Sequence, residues 1–395
     1  MIELLYELSG RYALLIVHVG PTQGARPALG QVADATVAIG SEREIEIVRR
    51  TRLPAQREVI VLSESATSGL EGERRRLTEA CRATVLRVVH GGSLPLTKDG
   101  VASDGEPWRS VDWLARHFLQ RRVGLALGAG GAKGYAHLGV LEALAQTGVP
   151  IDYFAGTSIG APLASGAALE MPVPEMRYHM DEIFRPLARP RLPWRSVRSA
   201  GALRGNFDRL CDRRLFEDLA RPLSIVAADL DRREEFSFRQ GPLSDAILAS
   251  IAIPAVYPPV HFEGRRLVDG ALLNPVPTST LVSAGADIVI GVKLTPPAAA
   301  QHDRPRGGWS ARFRPPIVET VLRAFDVMQW KITAEGASRA DVTIEPTFQG
   351  ATGLRDYRRA DECIESGRAA VEAVLPRLRS RLALGDFGGS LERAA

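Results

Sequence analysis

Residues 123–169 read VGLALGAGGAKGYAHLGVLEALAQTGVPIDYFAGTSIGAPLASGAAL, and this stretch decides the fold. Val123 to Leu127 and Ile151 to Ala155 are apolar runs of strand length. Each leads through a glycine-rich turn into a segment of small and apolar residues, Ala132 to Gln146 and Ala161 to Leu169. Strand, tight turn and helix in repeated succession predict an α/β fold with a mostly parallel sheet and helices on both faces. Leu223 to Ala227 and Ile288 to Val292 supply further apolar strands for that sheet.

Both turns carry chemistry. Gly156-Thr157-Ser158-Ile159-Gly160 is a GxSxG sequence placed between a strand and a helix. Glycines on either side of the serine permit the sharp turn that lifts a hydroxyl over the sheet edge. Without that context the same five residues describe a closely packed helix start. The other turn, Gly128-Ala129-Gly130-Gly131-Ala132-Lys133-Gly134, presents backbone amides at the next helix N-terminus, an arrangement suited to an anion. A dinucleotide fingerprint beginning at Gly128 would need glycine where Lys133 stands, and a Walker A loop would need Ser or Thr where Gly134 stands. An oxyanion hole asks only for convergent amides, which Gly130, Gly131 and Ala132 can offer. His179, His261 and His302 lie downstream of the serine, where a conventional triad would put its base, but none has a context that would hold a precise geometry. His137, inside the helix after the glycine loop, reads as structural.

GAGGAKGYAHLGV, GTSIGA, ASIAIPAVYPPV and VDGALLNPVP occur in the order and spacing of patatin-like phospholipases, and over roughly Arg122 to Leu384 the chain resembles that family. It is most similar to the bacterial relatives of neuropathy target esterase, which the Asp341-Val342 strand and the Glu365-Ser366-Gly367-Arg368 helix also resemble. The resemblance implies a three-layer α/β/α hydrolase with a Ser-Asp dyad, Ser158 as nucleophile and Asp269 of Asp269-Gly270-Ala271 as base. By its residues alone, Asp-Gly after a strand is a favoured turn. The family's oxyanion loop maps onto Ala129 to Gly134, with Gly130 and Gly131 as central amides. Ala129 departs from the usual glycine, and Lys133 replaces the arginine of many relatives. The implied activity is hydrolysis of lipid carboxylic esters, by a lysophospholipase or phospholipase A, through an acyl-enzyme and without metal or organic cofactor. A nucleotide-binding module built on the glycine loop and a catalytically silent scaffold stand as alternatives.

Working outward, residues 1–118 form a small α/β region of unknown role, with strand-like runs at Ala13 to Val19, Ala35 to Ile39, Glu58 to Leu62 and Thr84 to Val89 and a helix at Glu71 to Arg82. It resembles the spacer ahead of the hydrolase in relatives and lacks the glycine-punctuated strands of a cyclic-nucleotide barrel. A linker, Gly91 to Pro107, and a helical pattern, Trp108 to Gln120, lead to the catalytic segment 123–283. Residues 284–395 complete the hydrolase and end in a helix, Glu362 to Leu384, and a frayed tail.

Composition narrows the surroundings. With 45% hydrophobic and 24% charged residues in 395, the chain has ample material for a core. No apolar run approaches the roughly 18 to 20 residues of a membrane span, and no secretory leader is evident, so a cytoplasmic location is expected. The three cysteines, Cys81, Cys211 and Cys363, are too scattered for a disulfide framework or thiolate metal site. A net charge of +4 built almost wholly on arginine, with lysine only at Lys98, Lys133, Lys293 and Lys331, does not indicate nucleic acid. Two proline-broken stretches do interleave arginine with aromatics: Phe184 to Phe207, with Trp194 and Arg195, and Arg304 to Pro316, with Trp309 and Phe313. They predict peripheral contact with anionic lipid, such as the inner membrane face.

Overall fold

The computed structural model describes residues 121–184, 200–219, 221–294, 316–336, 339–348 and 357–382, together with five strands and positions 113 and 116 nearer the N-terminus. The chain divides into two compact units, Met1–Arg122 and Val123–Ala395. In the first, β1 (Thr36–Ile39), β2 (Val59–Ser63) and β3 (Val85–His90) pair in parallel in that order. β4 (Leu96–Thr97) and β5 (Gly100–Val101) form a short antiparallel ladder. The expected strand Ala13 to Val19 and helix Glu71 to Arg82 lie outside the described residues.

The second unit is built on an eight-stranded sheet: β6 (Val123–Leu127), β7 (Tyr153–Thr157), β8 (Leu223–Asp229), β9 (Glu234–Phe238), β10 (Val260–Phe262), β11 (Arg265–Asp269), β12 (Ile288–Val292) and β13 (Val342–Ile344). β13, β12, β6, β7 and β8 run parallel; β9, β11 and β10 join antiparallel at one end. Every residue of β6, β7, β8 and β12 is buried, which is why these strands read as unbroken apolar runs. Side chains alternate between two cores. Val123, Leu125, Leu127, Phe154, Ile288, Ile290 and Val292 enter the larger, and Ala126, Tyr153, Ala155 and Val289 the smaller, where Leu281 of a short helix covers them. Helices on both faces bear out the three-layer α/β/α expectation.

The helices are α1 (Tyr135–Gln146), α2 (Gly160–Ala168), α3 (Val173–Phe184), α4 (Ala200–Leu210), α5 (Leu243–Ser250), α6 (Thr278–Ser283), α7 (Pro316–Gly336) and α8 (Ala360–Leu382). The proline-broken stretch read from Phe184 to Phe207 thus enters α4 at Ala200. α1 follows the glycine loop directly, so whatever fixes α1 fixes the loop. It is fixed by α8 at a crossing of two glycines: a Cβ on Gly139 would lie 1.9 Å from the Ile364 carbonyl oxygen, and one on Gly367 would lie 2.0 Å from that of Ala136. Beside the crossing, Arg368 Nε and Nη2 donate to Glu142 Oε2 at 3.0 and 2.8 Å.

This contact inverts a familiar substitution. Gly→Ala inside a helix ordinarily stabilises by about 0.5–1 kcal/mol. At Gly367 the new methyl meets backbone that cannot yield, so Gly367→Ala is expected to destabilise by about 1–3 kcal/mol, the usual cost of overpacking. Urea denaturation measures it. An unchanged or higher midpoint would show that the helices part without cost.

Candidate active site

β8 is longer than its neighbours and divides one edge between two of them. β7 pairs in parallel as far as Thr157↔Val226, while β11 pairs antiparallel from Leu267↔Asp229 down to Asp269↔Ala227. β9 pairs across Ile225–Asp229 and therefore takes the opposite edge. β7 and β11 thus run toward each other along β8 and stop at adjacent residues. Ser158 follows the end of one, and Asp269 is the end of the other. Their side chains meet across 111 residues of sequence, with Ser158 Oγ–H donating to Asp269 Oδ2 at 2.7 Å.

Local backbone sharpens the meeting. Ser158 has φ +56°, a left-handed conformation that a non-glycine residue adopts only under constraint. Gly156 and Gly160 permit it: a Cβ on the first would lie 2.5 Å from the Gly160 carbonyl oxygen, and one on the second 2.0 Å from that of Leu127. The Ala161 amide returns to the Ser158 carbonyl at 2.9 Å and begins α2. Thr157 Oγ1 donates to the carbonyl of Asn274, whose amide bonds Gly270, so the serine turn is tied to the Asp269 turn. Gly270 must be glycine, since a Cβ there would lie 2.3 Å from the Val226 carbonyl oxygen.

Asp269 has no solvent exposure, and Ser158 is 7% exposed. Burial pushes the Asp269 carboxyl up to about 7, even though the Ala271 amide, at 2.9 Å from Oδ1, and the Ser158 hydroxyl pull it down. A carboxyl that titrates near neutrality while accepting a serine hydroxyl is suited to exchange that proton.

The glycine loop leaves β6 with the Gly128 amide on Val292 O (3.1 Å) and the Ala129 amide on Pro275 O (2.8 Å). Gly131 takes φ +59° and opens a 3-10 turn, Gly131–Gly134. Among the described residues no backbone carbonyl accepts from the Gly130, Gly131 or Ala132 amides. The loop abuts the serine turn, because a Cβ on Gly134 would lie 2.3 Å from Ile159 Cγ1. Ala129 fits without strain: its φ is not positive, and its methyl packs with Ala271 and Phe325 of α7. Lys133 is buried, with Nζ 5.6 Å from the centre of the Phe348 ring. His137 is fully buried and lowered to about 4 by desolvation, so its neutral ring donates from Nε2 to Gly128 O at 2.8 Å.

His179 lies on α3 edge-on to Tyr178, and His261 is exposed on β10. Neither bonds Ser158 in the described residues, and His302 lies outside them. Trp194, Arg195, Trp309 and Phe313 are also outside the described residues. Among those described, no three His, Cys, Asp or Glu side chains form a metal-holding group. No described helix is long and apolar enough to cross a membrane. Burial, with Asp208 adding to it, pushes the Cys211 thiol up to about 12, which removes it as a nucleophile. Sequence reasoning gave no role to Ser250 or Asn274. Both sit inside the quoted segments ASIAIPAVYPPV and VDGALLNPVP, but their contacts are long-range and leave no local signal.

Residues 125–282 match the family model of patatin-like phospholipases. An NTE family protein of Mycobacterium bovis is 32% identical over 279 residues, covering 66% of this chain and 48% of the relative. A second, from Mycobacterium tuberculosis, is 36% identical over 212 residues, covering 52% and 58%. Patatin-like phospholipase domain-containing protein 6 of Mus musculus is 30% identical over 190 residues, which are 46% of this chain and 14% of that one. The chain thus spans about half the length of the bacterial relatives it matches. Among solved structures, VipD from Legionella pneumophila aligns over 65% of this chain and 67% of its own at 13% identity and a TM-score of 0.41.

Proposed function

We propose that the segment matching the patatin-like phospholipase model is a serine esterase that hydrolyses carboxylic esters of lipids, lysophospholipids or phospholipids foremost. The observation that carries the reading is the buried 2.7 Å hydrogen bond from Ser158, in its left-handed turn, to Asp269. Asp269 takes the hydroxyl proton as Ser158 Oγ attacks the ester carbon. The amides of Gly130, Gly131 and Ala132 face the oxyanion that forms. Collapse expels the alcohol, which receives the proton from Asp269, and leaves an acyl-serine. Water then attacks the acyl carbon, Asp269 accepts its proton, and the carboxylic acid departs with Ser158 restored.

A nucleotide-binding role for the loop is disfavoured by Lys133, which is buried against Phe348. A silent scaffold is disfavoured by the retained contact between hydroxyl and carboxylate. Labelling of wild type, but not Ser158→Ala, by a fluorophosphonate tests the nucleophile, and release of fatty acid from a long-chain lysophosphatidylcholine tests the substrate class. An unlabelled wild type would overturn the esterase reading.

The elevated Asp269 pKa adds a pH signature. Only the ionised carboxylate can accept the proton, so kcat/KM is expected to rise about tenfold per pH unit up to about 7 and then level. A limb centred near 4 would show the base working in a solvated environment instead.

A further inference from the structure

We propose that Ser250 is a positioning residue for the dyad, acting through its hydroxyl on the backbone at the junction where β7 and β11 meet; the inference rests on the esterase reading for its kinetic consequences only. A continuous neighbour strand would satisfy the edge of β8 throughout. Here the ladder is interrupted between Val226 and Ala227. On one side of the break, Ser158 has left the strand for φ +56°, so its amide no longer donates into the ladder. On the other, the Val226 carbonyl points at Gly270, which offers no donor from a side chain. A buried donor and a buried acceptor are left to be satisfied at the reaction centre.

One hydroxyl serves both. Ser250, the last residue of α5, has no solvent exposure; its Oγ accepts from the Ser158 amide at 2.9 Å and donates to the Val226 carbonyl at 2.7 Å. Two residues on, the Ala252 carbonyl accepts the Asp269 amide at 3.0 Å. The segment Ser250–Ala252 therefore holds the backbone of both dyad members, while their side chains meet each other. Only a side chain with donor and acceptor on one atom fits the Ser250 role, which alanine and valine lack and threonine keeps.

The test compares Ser250→Thr with Ser250→Val, which have nearly the same volume and differ in the hydroxyl, with Ser250→Ala as a variant that cannot overpack. Misplacement of a reacting group by about 1 Å can cost about 100-fold in rate. Ser250→Val and Ser250→Ala are accordingly expected to lose 30- to 100-fold in kcat, by that same order-of-magnitude reasoning, with KM little changed and the acid limb of the pH profile displaced upward. Ser250→Thr should stay well above both. Hydrogen exchange, which needs no turnover, should show the Ser158 amide protected in wild type and Ser250→Thr and exposed in the other two. That exchange pattern in an inactive wild type would uphold the positioning role while defeating the esterase reading. Equal kcat and equal exchange in folded Ser250→Thr and Ser250→Ala would overturn the proposal.

Discussion

Asp269→Asn is expected to lower kcat/KM by about 10⁴-fold or more, as is Ser158→Ala, and the double variant should be no worse than either, because nucleophile and base act as one unit. The same Asp269→Asn change should make the protein more stable in alkaline solution. Burial pushes the folded carboxyl from an ordinary 3.8 up to about 7. Below 3.8 the group is neutral in both the folded and unfolded states, and the stability held by the neutral form is lost as pH climbs through 7. Above that the buried charge costs on the order of 4 kcal/mol, from about 1.36 kcal/mol per unit. Asparagine never bears this charge, so Asp269→Asn should melt above wild type at pH 8.5 and lose its advantage near pH 4. Ser158→Ala removes a hydrogen bond that favours the carboxylate, so it should share the lost activity without the alkaline gain. Appreciable turnover by Asp269→Asn would defeat the dyad. Lost activity with lower alkaline stability would mean that Asp269 is held ionised by contacts stronger than its burial.

The parts of this site that were legible in sequence are those encoded within a few residues. GTSIG between an apolar strand and a small-residue helix predicts its own sharp turn, and β6, β7, β8 and β12 are read directly because two-sided burial leaves them uniformly apolar. β9 and β10 escape such reading. Glu234 and Glu235 sit exposed on β9, and β10 is three residues long, so neither offers an apolar run. The pairing of Ser158 with Asp269 is encoded in the register of β7 and β11 on β8, a relation between segments that no local pattern displays. Resemblance to a family supplied Asp269, where its residues alone suggested only a turn. Ser250 shows the same limit: a serine ending a helix is unremarkable until the broken ladder beside it is seen. Gly139 and Gly367 give no local signal for a related reason, since a glycine inside a helix reveals its purpose only through the partner it lets in.

The glycine loop permits a substitution whose catalytic and conformational costs can be separated. Gly131 and Gly148 both have positive φ, +59° and +70°, so alanine at either position incurs similar backbone strain, about 1 kcal/mol. Around Gly148 nothing lies within 4 Å of a new Cβ, and that residue stands beyond the end of α1, away from the serine turn. Gly131 opens the 3-10 turn, and its amide, like those of Gly130 and Ala132, has no backbone acceptor among the described residues. Relaxing its φ toward the ordinary range would rotate the flanking peptide planes and swing those amides away from the oxyanion. Loss of one such donor costs about 2.7–4 kcal/mol in the transition state, or about 100- to 1,000-fold in kcat. Gly131→Ala and Gly148→Ala should therefore melt at similar temperatures, while only Gly131→Ala loses turnover by that factor. Gly130→Val should lose it as well, because a Cβ there would lie 2.7 Å from Leu294 Cβ and displace the loop bodily. Parallel losses of activity and stability in the two alanine variants would reduce the effect to strain. Full activity in Gly131→Ala would move the oxyanion donors elsewhere, and the Ile159 amide, next after the serine, would become the first place to look.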